Sequence, residues 1–130
     1  MLQKFVLWTG ALDFVVGIAT YYGAITNSPP GAFMGLMTLG SFLMMAAACL
    51  MWASKDIATR APVIFWQGLV RITAVSAGIY AYTHGLTSAE ERLFVPFVVP
   101  FDGLVGLTYV IGTVKATGKS PLDILLCRVP

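Results

Sequence analysis

Four long apolar stretches alternate with short polar breaks along the chain. A bilayer core of about 30 Å takes about 20 apolar residues. Residues 5–24, 32–53, 62–83 and 93–113 meet that length, so the pattern predicts four transmembrane helices. The first break runs from Thr26 to Gly31, with Pro29 and Pro30 suited to the start of the second helix. The second runs from Ser54 to Pro62. The third, Thr83 to Arg92, contains Ser88-Ala89-Glu90-Glu91, the spacing of a capping box, which predicts a short interfacial helix leading into the fourth span. Beyond that span, residues 120–128 hold Ser120-Pro121-Leu122-Asp123-Ile124-Leu125-Leu126, read as one or two helical turns tethered to the membrane surface.

Composition strengthens this picture. The chain has 130 residues, a single-domain length, with 58% hydrophobic and 11% charged. Its mean hydropathy is +0.82. A soluble domain carries about 25% charged residues, and a small globule has no room to hide this much apolar surface. The expected fold is all-α: one integral membrane domain over residues 1–130, built as a four-helix bundle. A net charge of +2 without a basic run argues against nucleic acid as a partner. Lys4 ahead of an apolar run imitates a signal peptide, but Asp13 interrupts that run, and an uncleaved first helix is expected.

The cations sort by side. Lys4, Lys55, Arg60, Lys115, Lys119 and Arg128 fall on one face and only Arg92 on the other. The positive-inside rule then puts both termini and the middle loop in the cytoplasm, and the bias argues against a dual-topology protein. Cys49, Cys127 and His84 form no metal-ligand or disulfide pattern, so neither metal nor cofactor is expected. Cys49 reads as helix packing. Cys127, near the membrane surface, reads as an inert thiol or an acylation site. His84 reads as a loop residue, with proton entry as its functional alternative.

Three ionisable residues, Asp13, Arg71 and Asp102, lie inside spans. Asp13 and Arg71 stand nine residues beyond Lys4 and Pro62, about 13 Å along a helix. Asp102 reaches a similar depth from the opposite face. A charge at the centre of a span costs at least about 2.5–3.5 kcal/mol, so all three are expected to turn inward with Arg71 between the carboxylates. With every group ionised this core keeps a net negative charge, which calls for a proton on one aspartate or a bound cation. Asp13 and Asp102 share a local echo, each followed four residues later by a glycine on the same helix face, Gly17 and Gly106. Small residues there let helix backbones approach, and opposed spans with this echo suit an inverted repeat.

Other residues join this expectation. Gln67 is one turn from Arg71, with Trp66 beside it, and Tyr109 is two turns past Asp102. Together with Asp13, Arg71 and Asp102 they make the expected ligand-binding set, and the two aspartates are the catalytic candidates. Thr9 and Thr20 flank Asp13. Pro96 and Pro100 precede Asp102 and predict either a broken helix, with Asp102 in the first turn of its inner half, or a simple kink. Span 2 mixes glycine and alanine with Met34, Met37, Met44, Met45 and Met51, a deformable wall or plain core filling. Tyr21, Tyr22, Tyr80, Tyr82 and Trp52 read as interface anchors.

Three functions fit such a site: a pocket for a lipophilic small molecule, with or without isomerase or redox chemistry; proton-coupled transport; or a structural lock in an accessory subunit, homodimer or larger membrane complex. The four-span plan, with Leu12-Asp13-Phe14-Val15-Val16-Gly17 in the first span and Phe101-Asp102-Gly103-Leu104-Val105-Gly106 in the last, resembles small bacterial membrane proteins of the DoxX-like kind. That resemblance implies the bacterial inner membrane and quinone or thiol redox partners; the absence of paired cysteines departs from the thiol part. Small multidrug transporters also have four spans and an acid in span 1, but theirs is glutamate, and Arg71 and the charge bias depart from their pattern.

Overall fold

A computed structural model describes residues 1–129. It is all-helical, with α1 at Leu2–Asn27, α2 at Phe33–Ala53, α3 at Ile57–Thr83, α4 at Ala89–Thr117 and a short α5 at Pro121–Leu125. The first four are long and apolar enough to cross a membrane, in agreement with the pattern of the sequence. Three of them outrun the apolar stretches that announce them. α3 starts at Ile57, ahead of Pro62, where the ring removes only the bond that would reach the Ala58 carbonyl.

The boundaries follow local chemistry. Ser88 Oγ accepts from the Glu91 N–H at 3.2 Å, and the Glu91 carboxylate accepts from the Ser88 N–H at 2.7 Å. This capping box opens α4 itself rather than a separate interfacial helix. Pro96 and Pro100 lie inside a continuous α4, so Asp102 sits mid-helix and, of the two alternatives, the broken helix does not form. The helix tolerates each proline at the loss of one backbone bond. Gly118 ends α4 at φ 64, a left-handed geometry favouring glycine. Ser120 caps α5 by accepting from the Asp123 N–H, with Pro121 in the first turn.

The chain forms two units, one spanning Met1–Ile57 and the other starting at Ala58. In the first, α1 and α2 pack as a hairpin. Their backbones touch at a glycine pair. A Cβ on Gly17 would come within 2.9 Å of the Met44 nitrogen, and one on Gly40 within 2.9 Å of the Tyr21 nitrogen. Further along, a Cβ on Gly10 would stand 3.2 Å from Leu50 Cβ. The polar side chains of α1 stay compatible with lipid: Thr9 donates to the Phe5 carbonyl at 2.8 Å and Thr20 to Val16 at 2.9 Å. These hydroxyls bond back to their own helix, whatever their spacing from Asp13.

The second unit closes in the same way. A Cβ on Gly68 of α3 would lie 2.9 Å from the Gly106 carbonyl of α4, and one on Gly106 would lie 3.0 Å from that of Gly68. α5 folds against this hairpin, where Ile124 joins Ala61 and Phe65 in a core flanked by Val110, Val114 and Val129. The tail is thus held by protein through Ile124, while Leu122, Leu125 and Leu126 are exposed and available to lipid. Both units leave large apolar side chains outside, such as Trp8 at 74% and Phe97 at 76% exposure, as lipid-facing helices do.

Candidate functional site

The glycine contact between α3 and α4 sets the geometry of the charged residues. The helices run antiparallel, Arg71 comes one turn after Gly68, and Asp102 comes one turn before Gly106. Both side chains therefore project from the same end of the contact. A Cβ at Gly106 would stand 3.2 Å from Arg71 Cβ, so the bare glycine lets α4 lie directly against the arginine stem. Arg71 Nη1 donates to Asp102 Oδ1. The two side chains keep 12% and 25% of their exposure, so the pair is largely withdrawn from the surface. Each charge stabilises the other where it would be costly alone.

Tyr109 completes the cluster. It is fully buried, and the Arg71 guanidinium carbon lies 5.9 Å from its ring centroid, within range of a cation–π contact. Arg71, Asp102 and Tyr109 thus meet within one hairpin. Gln67 is half-buried on α3, one turn before Arg71. Trp66 is exposed and turns its indole N–H to the Leu125 carbonyl at 3.2 Å, joining α3 to α5. Asp13 is half-buried on α1, one turn before Gly17, in the first unit.

From Asp102 a groove of about 370 Å³ runs between α3 and α4. Ala74, Val75 and Gly78 form one wall, and Phe94, Val95, Val98 and Val99 form the other. Glu90 and Glu91 line its far end. Asp102 is twelve positions beyond Glu90 on the same helix, a length of about 18 Å. A second groove, in the α1–α2 hairpin, is lined by Tyr21, Met37, Thr38, Ser41, Phe42 and Met45, which gives two of the span 2 methionines a place in a wall.

Sequence reasoning overlooked Gly68 and the role of Glu90 and Glu91 as groove liners. The first was findable. A glycine one turn before the only charged residue of span 3 mirrors the glycine one turn after Asp102. The acidic end was recognised only as a helix cap, because a capping box explains those residues fully on local grounds. At the far end of α3, His84 stacks on Tyr80 with ring centroids 4.0 Å apart. Its Nδ1 lies 2.9 Å from the Tyr80 carbonyl oxygen. Cys49 and Cys127 are both exposed. Comparison of this chain with protein-family models, with curated proteins and with solved structures finds no match in any of the three.

Proposed function

We propose that this protein spans the bacterial inner membrane four times, with both termini in the cytoplasm, and binds a lipophilic small molecule in the α3–α4 groove. One observation carries the binding reading: an ion pair backed by a buried tyrosine stands at the foot of an apolar groove of about 370 Å³. Ligand sites are concave and mostly apolar, with a few fixed polar groups to orient the guest, and about 300–1,000 Å³ is their ordinary size. The orientation rests on the cations, six against one across the helix ends. The DoxX-like resemblance supports the choice of membrane and leaves an enzyme acting on a lipophilic substrate as an extension of the same site.

The test is native mass spectrometry of protein released from neutral detergent. A lipophilic guest bound one per protomer, displaced when Ala74→Phe fills the groove wall, is the expected result; equal loading of both proteins would overturn the reading. The orientation has its own check. A membrane-impermeant maleimide should label Cys127 in inverted vesicles and not in intact cells.

A second reading, a structural lock in an accessory subunit, is favoured by the ion pair joining α3 to α4. There the ion pair would only fasten α3 to α4, and Ala74→Phe would change no bound mass.

A further inference from the structure

Among the residues lining the α3–α4 groove, the ionisable side chains are Glu90, Glu91 and Asp102, all of them carboxylates. The remaining liners, Ala74, Val75, Gly78, Phe94, Val95, Val98 and Val99, offer no side-chain hydrogen-bond donor and no positive charge. Of the neighbouring cations, Arg71 is bonded to Asp102, and Arg92, next to Glu91 in the chain, donates to Thr87 Oγ1; neither lines the groove. The carboxylate of Glu91 accepts from the Ser88 N–H and remains charged and exposed at the groove end, beside Glu90. A guest therefore meets apolar walls over most of its length and two carboxylates at one end, with no cation among the lining side chains.

That combination selects by charge. An anionic amphiphile would bring its head against two carboxylates with no basic liner to receive it. A neutral lipophile would gain the walls alone. Only an amphiphile with a cationic head uses both surfaces, its chain along Val75, Val95, Phe94 and Val98 and its ammonium between Glu90 and Glu91. We infer that the α3–α4 groove is a site for amphiphilic cations of the long-chain alkylammonium class, entered by the head at the Glu90–Glu91 end. This deepens the proposed lipophile-binding function and rests on it. With both termini cytoplasmic, that end faces the opposite side of the membrane, so guests would arrive from there.

The experiment compares three probes of equal chain length on the full-length protein in a non-ionic detergent, read by native mass spectrometry: hexadecylammonium, hexadecanol and hexadecyl sulfate. The expected result is one saturable adduct per protomer for the ammonium, up to about fivefold tighter than for the alcohol, with none for the sulfate. An exposed ion pair is worth up to about 1 kcal/mol, which is about that factor. Glu90→Gln combined with Glu91→Gln should bring the ammonium to the level of the alcohol. Glutamine also serves at the third position of a capping box, so α4 should stay folded, which circular dichroism checks. Equal binding of all three probes, or ammonium binding indifferent to the double substitution, overturns the charge selection while leaving a lipophile site standing. No saturable adduct for any probe overturns the groove as a binding site and this inference with it.

Discussion

The two helical hairpins close by the same device and carry different chemistry. In α1–α2 the backbones meet at Gly17 and Gly40; in α3–α4 they meet at Gly68 and Gly106. In each, an aspartate stands one turn from the glycine, Asp13 before Gly17 and Asp102 before Gly106. The helices opposite them differ. Three residues after Gly68 comes Arg71, whereas three after Gly40 comes Leu43, and α2 holds no charged side chain at all. Since α1–α2 brings its backbones equally close without a cation on α2, a glycine closure does not require an ion pair. Arg71 with Asp102 is thus an addition to a hairpin that could close without it, placed at the end of a groove. This weighs toward a binding role and against a lock.

The comparison can be strained where the effects are largest. Arg71→Met should destabilise the protein by about 3 kcal/mol, because it leaves Asp102 without its counter-ion in an apolar span, and Arg71→Met with Asp102→Leu should recover most of that loss. Thermal unfolding in detergent measures both. If the double variant stays as unstable as the single one, the pair is integral to closure and the contrast between hairpins fails. Next come the glycines. Gly106→Ala and Gly17→Ala should each cost about 1–3 kcal/mol, since either methyl would press on backbone or on a confined side chain of the facing helix. Comparable losses in the two hairpins support a shared closure, and a loss confined to one breaks it.

Smaller effects sharpen the contrast at the helix ends. α4 opens on the Ser88 capping box, while α2 opens at Ala32 with no side-chain cap. Ser88→Ala should therefore cost about 1 kcal/mol, and Ala32→Ser should gain a few tenths at most, as Ala32 has helical rather than extended backbone. Hydrogen exchange in the first turn of each helix reports both. The smallest expected change is Trp66→Phe, which removes the bond to Leu125 and should loosen α5 by about 0.5–1.5 kcal/mol, read as faster exchange of the Ile124 amide.

The four long helices were legible because lipid imposes the same demand everywhere along them, and Asn27, Pro29, Ser54 and Ser88 punctuate the chain locally. The capping box was legible for the same reason, as both of its partners lie within four residues. The cost of a lone charge in a span assigns Arg71 an aspartate partner from sequence alone, though it does not single out Asp102 over Asp13. The outcome at Pro96 and Pro100 could not be read, since both a kink and a break satisfy the missing N–H groups and the surroundings decide between them. Nor could the fate of the tail. Ile124 and Leu125 look alike in an apolar run, yet one is buried against Ala61 and Phe65 and the other keeps partial exposure. The groove depends on which faces of α3 and α4 oppose one another, and that is set by where Gly68 meets Gly106 rather than by any segment alone.

The bond from Trp66 to Leu125 joins positions 59 residues apart and has an optical consequence. Indole emission shifts with the polarity around its ring and with the state of its N–H. With Trp8 and Trp52 changed to phenylalanine, Trp66 becomes a built-in fluorophore for docking of the C-terminal segment. Release of that segment would alter the colour of the light emitted from the base of α3, without any label attached to the protein.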